Sequence, residues 1–216
     1  MNSSVIQILV LAGIAVFLII KLRSVLGTRE GFEPGPAPID ELKPRPKFDV
    51  VEGGPDRDIT DNITDPASAA ALAAMKQSDP DFNVTDFLLG ARSAYEMILM
   101  AFDKGEIDRI RPFLGSDIAG TFAEAIRDRI SQGLTITSTF GGIRDMTLTE
   151  STYNPVSKLA QIDVRFNVEL SRVVKDANGA VVEGTPNAII RQRDTWTFAR
   201  TMGTADPNWH LAATGD

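Results

Sequence analysis

Apolar residues fall along this chain in three successive patterns, and each predicts a different structure. The first is unbroken: Ser3 to Ile20, SSVIQILVLAGIAVFLII, carries no charge over about 18 residues, which as a helix rise roughly 27 Å, close to a bilayer's hydrocarbon thickness. The second has spacings of three and four. In NVTDFLLGARSAYEMILMAFDKG the residues Leu88, Ala91, Tyr95, Ile98 and Phe102 share one helical face, with Asn83 or Thr85 to cap its start and Gly105 where a helix ends. A shorter helix is predicted at EIDRIRPFLG from Ile107, Ile110 and Leu114, bent or ended by Pro112. Another follows in SDIAGTFAEAIRDRISQG, with Ser116 as its cap, Ile118, Phe122, Ala125 and Ile126 inward, and Gly133 at its end.

The third pattern has a period of two. Ala160, Ile162, Val164, Phe166, Val168 and Leu170 alternate with Gln161, Asp163, Arg165, Asn167 and Glu169, which predicts a long strand with one buried and one wet face. KDANGAV supplies a turn through Asn178 and Gly179, and LTITSTF, IRDMTLTESTY, AIIRQRDTWTFART and NWHLAAT predict further strands. Helices first and strands afterwards predict an α+β fold, with helices packed on one face of a curved antiparallel sheet.

Between the apolar run and the periodic part, seven of the twelve prolines fall between Phe32 and Pro66. Proline at this density forbids helix interiors and sheet centres, so residues 23–66 read as a Pro-rich acidic linker, or as an extended recognition segment with KPRPKF as its docking piece. Residues 67–79 predict a short Ala-rich helix started by Asp65 and Pro66, with a stripe of Ala69, Leu72 and Met75 that docks on a partner, on a membrane, or on its own domain. The folded part is expected over 80–216.

Charge settles the expected orientation. Lys21, Arg23 and Arg29 all follow the apolar run and none precedes it. A secretory signal has its cations ahead of the run and a small-residue cleavage site after it, so residues 3–22 read as a retained single-pass anchor. Lys and Arg stay on the cytoplasmic side, which puts the N-terminus outside and the domain inside a bacterial inner membrane. The same cations can contact anionic headgroups, at about 1 kcal/mol each near the surface. The total charge of −7 argues against nucleic acid as a partner, and zero cysteines exclude disulfides and thiolate chemistry.

KLRSVLGTREGFE after the anchor, DFLLGARSAYEMILMAFDKGEIDRIRPFL, RDTWTFAR and NWHLAAT, in this order, resemble the domain of subunit 44 of the mitochondrial inner-membrane import translocase. The similarity is greatest to alphaproteobacterial, membrane-anchored adaptor homologues, and it covers residues 80–216 together with the anchor and its exit. The resemblance implies a cone-shaped α+β fold related to the nuclear transport factor 2-like superfamily, with a sizeable apolar pocket. It also implies association with anionic lipid such as cardiolipin and a role in tethering protein-translocation machinery. The chain lacks the long N-terminal region through which the mitochondrial protein engages its motor chaperone, so a motor-binding role does not carry over.

In a cone that its side chains do not fill, Tyr95, Phe166, Trp196, Phe198 and Trp209 would line the pocket; otherwise they are core. Arg127 and Arg129 flank an apolar stripe able to meet a membrane surface, in addition to Lys21, Arg23 and Arg29, or else sit on a solvated helix face. The fold also hosts isomerases and dehydratases, but fold analogy is a weak warrant. The one histidine, His210, lies between Trp209 and Leu211 and points outward if they point inward, with no second group to orient it. Asp194 shares a strand face with Trp196 and Phe198, so it could enter a pocket, but it is expected to pair with a neighbouring arginine or sit near the exposed strand end. One histidine and no cysteine leave no metal set, and FGGIRD lacks the features of a phosphate loop. The expectation is a non-enzymatic adaptor without cofactor, anchored in the membrane, serving an inner-membrane or cytoplasmic protein partner. The alternatives are a carrier of lipid or small hydrophobic ligands and a small-molecule isomerase or hydrolase using the cone.

Overall fold

The computed structural model describes Gly54 and residues 56–215. The expected anchor, its cations Lys21, Arg23 and Arg29, and most of the expected linker lie outside the described residues. Among the described residues no helix is long and apolar enough to cross a membrane.

In chain order the elements are α1 (Arg57–Thr60), α2 (Pro66–Ser78), α3 (Val84–Lys104), α4 (Ile107–Ile110), a 3-10 turn (Arg111–Phe113), α5 (Ser116–Ser131), β1 (Thr135–Tyr153), β2 (Leu159–Lys175), β3 (Val181–Glu183), β4 (Ile190–Thr201) and β5 (His210–Gly215). All ladders are antiparallel, in the order β1-β2-β4-β5, with the short β3 beside the far end of β2. The fold is thus α+β, with an open sheet. The alternation read in β2 holds: Ala160, Ile162, Val164, Phe166, Val168 and Leu170 are each buried, while their neighbours face out.

Local chemistry places each helix. Asp65 accepts from the Ser68 amide at 2.8 Å and Pro66 supplies a preset φ, so α2 starts there. Its stripe faces this same domain: Leu72 and Met75 are fully buried. Asn83 caps α3 through the Asp86 amide, and Gly105, at φ 78°, closes it in the left-handed conformation that glycine adopts without strain. Helix α5 departs from expectation at its start: Gly115, not Ser116, holds the N-cap position, its backbone extended and its carbonyl accepting from the Ala119 amide at 2.9 Å, while its own amide donates to the Leu211 carbonyl at 2.8 Å. Ala125 is exposed, and Ala119 takes the inward place beside Ile126.

Two further differences come from the sheet and the linker. The stretches LTITSTF and IRDMTLTESTY form one strand of 19 residues rather than two. Register shifts at Phe140/Gly142, Ile143/Asp145 and Leu148/Glu150 let β1 follow β2 while bending. Helix α1 lies within the stretch read as linker, and it is integral to the fold. Its Ile59 is buried, and the Asp58 carboxylate accepts from the Val84 amide at 2.7 Å, the Thr85 amide at 2.9 Å and the Thr85 hydroxyl at 2.8 Å. Lys76 on α2 adds an ion pair at 2.7 Å. This one carboxylate therefore ties α1, α2 and the first turn of α3 together.

Candidate functional site

The aromatic residues singled out in the sequence divide into two groups. Tyr95, Phe166 and Trp196 stack on one another in the core, with ring centroids 4.3 Å apart for Tyr95–Phe166 and 4.4 Å for Tyr95–Trp196. They fill space between α3 and the sheet and do not wall the groove described next. The Tyr95 hydroxyl is fully buried and donates to the Asp194 carboxylate, which also accepts from the Gln192 amide at 2.8 Å. Asp194 thus pairs with a phenol and an amide, where an arginine was expected. Burial, and then the neighbouring Asp194, push the Tyr95 pKa up, so the phenol remains a donor throughout the ordinary pH range.

Phe198 and Trp209 lie elsewhere, in the wall of an apolar groove of about 520 Å³. One side is α3, where the buried Phe87 is followed by Gly90, Ala94 and Met97, which present small or flexible surfaces. Phe113 of the 3-10 turn and Trp209 beside β5 form the other side. Phe82 and Phe87 hold the indole in place at centroid distances of 5.7 and 4.7 Å, and Phe87 meets Phe198 edge-on at 5.8 Å. Helix α3 reaches this position because its core-facing side carries the buried Tyr95 and Ile98.

The rim of the groove is polar and unevenly charged. Asp81, Asn83, Asp86 and Asn208 stand on it, and neither Asp81 nor Asp86 has an ion-pair partner among the described residues. The one cation there, Arg200, is engaged: it meets the Asp79 carboxylate at 2.7 Å with both side chains about nine-tenths buried, and donates to the Asp206 carbonyl at 3.1 Å. The opening is therefore net acidic. A wide apolar floor with an acidic mouth fits an apolar group that carries a neutral or cationic flank, and disfavours an anionic one.

The remaining predicted residues are dispersed. His210 is half-buried on β5, paired across the ladder with Ala199, while Leu211 points into the core. Arg129 folds back on the protein: it donates at 3.0 Å to the Phe102 carbonyl in the last turn of α3, which also accepts from the Gly105 amide, and lies over the Phe102 ring at 5.6 Å. Arg127 is exposed on α5. Among the described residues no group of three or more His, Asp or Glu is placed to hold a metal ion. Phe113, Met97 and Asn208 were missed as groove residues, because only the chain path brings the 3-10 turn and the loop before β5 to α3.

The fold defines an α+β domain whose helices cover one face of an open antiparallel sheet, with an apolar groove beside α3. The Tim44-like domain model matches residues 68–216, and the chain belongs to this family. Among solved structures it is similar to the intermembrane space region of the chloroplast protein ARC6, at 14% identity and a TM-score of 0.35, over 50% of this chain and 75% of that one. No curated protein matches the sequence.

Proposed function

We propose that this protein is a non-enzymatic adaptor, tethered to a bacterial inner membrane by residues 3–22, whose Tim44-like domain docks an apolar segment of a protein partner in the groove between α3, Phe113 and Trp209. The observation carrying this reading is the combination of an apolar floor with the acidic rim of Asp81 and Asp86. A partner segment with apolar side chains and a cationic flank satisfies both parts, whereas an acyl chain with an anionic headgroup satisfies only the first. Tethering to the membrane raises the effective concentration of membrane-bound partners, so a modest groove affinity suffices. Anionic lipid, cardiolipin included, is assigned to the basic flank of the anchor at Lys21, Arg23 and Arg29 with Arg127, because Arg129 is used inside the protein.

Blocking the groove tests the reading. A Cβ added at Gly90 meets nothing within 4 Å, and Gly90 lines the groove, so Gly90→Trp directs an indole into it from a backbone position that accepts a side chain, and it gains helix propensity. Full-length wild type and Gly90→Trp would be isolated from native membranes in mild detergent and their co-isolated proteins quantified by mass spectrometry. The expected result is the loss of a specific partner set from the Gly90→Trp sample. Identical sets, with equal expression and thermal stability, would remove the groove from the function.

A further inference from the structure

The face of the sheet opposite Phe198 is not covered by the described helices, and its charge is concentrated. A hollow of about 680 Å³ on this face is lined by Arg144 of β1, Asn167 and Val168 of β2, and Arg191, Gln192 and Arg193 of β4. Arg165 stands beside it in register, paired with Thr147 and Thr195, and Asp163 and Glu150 follow it on the same face. In a chain of net charge −7, three arginines line this one hollow. The carboxylates within it are Glu169 and Asp145. Arg144 and Arg191 both reach Glu169, at 2.9 and 3.3 Å, and these guanidiniums keep its carboxyl below the usual range. Arg193 has only the neutral Asn167 carbonyl, at 3.2 Å, and the Asn167 amide in turn meets Asp145. Three cations against these two anions leave the hollow with an excess of one positive charge.

The donors are also unspent. A guanidinium has five N–H donors in a planar fork suited to a carboxylate. Arg191 and Arg193 are exposed and each uses only Nε within the described residues, which leaves both Nη groups without a partner there. Side chains two apart on one strand are separated by roughly 6.6 Å and point the same way. An extended peptide repeats its own side chains at that interval, so carboxylates at alternate positions meet Arg191 and Arg193 in step, with Arg144 two strands away.

We propose that this surface, centred on Arg144, Arg191 and Arg193, is a second docking site that binds an acidic, extended segment of a partner protein. Nucleic acid fits less well, because none of the patch residues is an aromatic on which a base would stack. A membrane fits less well too, since the hollow is lined by polar side chains, with only the buried Val168 contributing apolar surface. The proposal is independent of the groove, which opens on the other side of the sheet.

The test is fluorescence anisotropy of a labelled peptide with glutamate at alternate positions, titrated with full-length protein in non-ionic detergent. The same peptide with glutamine in place of glutamate is the control. Binding of the glutamate peptide at least tenfold tighter than the control is expected, with that preference lost in the Arg191→Ala/Arg193→Ala variant. Arg109→Ala, on α4, should leave affinity unchanged. Glu169→Gln removes the carboxylate that occupies Arg144 and Arg191 and should tighten binding threefold or more, a gain that misfolding cannot produce. Equal affinity for the two peptides, or no dependence on Arg191 and Arg193, overturns the proposal. So does equal or tighter arginine-dependent binding to a DNA duplex or to vesicles rich in anionic lipid.

Discussion

Removing the charge of Asp58 should unlatch the N-terminal part of the fold. This carboxylate sits between α1, α2 and the first turn of α3, with three donors from Val84 and Thr85 and the Lys76 ammonium within 2.9 Å. Partial burial opposes its charge, but the Lys76 contact and the amide and hydroxyl donors outweigh it and lower its pKa from 3.8 to about 2. Taken at face value that shift is worth roughly 2.5 kcal/mol. Solvent screening at a site open on one side reduces the figure to about 1–2 kcal/mol. Asp58→Asn keeps the shape and one acceptor oxygen, so it should cost about that much and lower the thermal midpoint by roughly 3–6 °C. Because the folded pKa is depressed below 3.8, the contribution is complete above that pH and lost as pH falls through about 2. Urea unfolding of full-length wild type and Asp58→Asn in non-ionic micelles, at about pH 6 and again near pH 2.5, reads both quantities. The gap between the two proteins should be open at the higher pH and narrowed at the lower. Equal midpoints at about pH 6, or a gap that does not narrow in acid, would refute the reasoning.

Three other outcomes follow from individual contacts. At Gly184, with φ +83°, an added Cβ would lie 2.2 Å from the Arg172 carbonyl, whereas at Gly179, with φ +81°, nothing lies within 4 Å. Gly184→Ala should therefore lower the thermal midpoint more than Gly179→Ala and speed amide exchange at Val181–Glu183, while equal effects would show that backbone conformation alone matters. Asp103 is buried with Arg172 at 3.0 Å and Ser138 at 2.5 Å on one oxygen, and its other oxygen has no partner among the described residues. Arg172→Met should cost about 3–5 kcal/mol in chemical unfolding, much of it recovered in Asp103→Leu/Arg172→Met; additive losses would contradict this account of the pair. His210→Gln should leave thermal stability and in-cell function unchanged, since among the described residues no carboxylate or hydroxyl is hydrogen-bonded to the imidazole; lost function at unchanged stability would reopen an enzymatic reading.

The sequence displayed most clearly what depends on neighbours in the chain. Helix α3 was legible because spacings of three and four coincide with a cap at Asn83 and a stop at Gly105, and β2 because one face is wholly buried. Strand β1 was read as two strands because its three bulges break the alternation, and the Gly141–Gly142 pair imitates a turn. At Gly141 an added Cβ would stand 2.8 Å from the Glu169 carbonyl, so the glycine there reflects close approach of β2, which no local pattern reveals. The role of Asp58 was hidden by its proline-rich surroundings, although Asp56 capping the Asp58 amide ahead of an isolated Ile59 was the available signal. The division of the aromatic residues into a core stack and a groove wall was not legible at all. Tyr95 and Asp194 lie 99 positions apart, and the path of the chain between them decides which rings meet.

The groove's occupant is tested most directly by photocrosslinking in native membranes. A benzophenone amino acid would replace Asn208, at the groove rim beside Trp209, in the full-length chain. Adducts would be identified by mass spectrometry, with and without Gly90→Trp in the same chain. The account predicts adducts to one defined protein, at residues neighbouring apolar and cationic side chains, and their disappearance with Gly90→Trp. Adducts confined to lipid, or protein adducts that persist when the groove is filled, would contradict it.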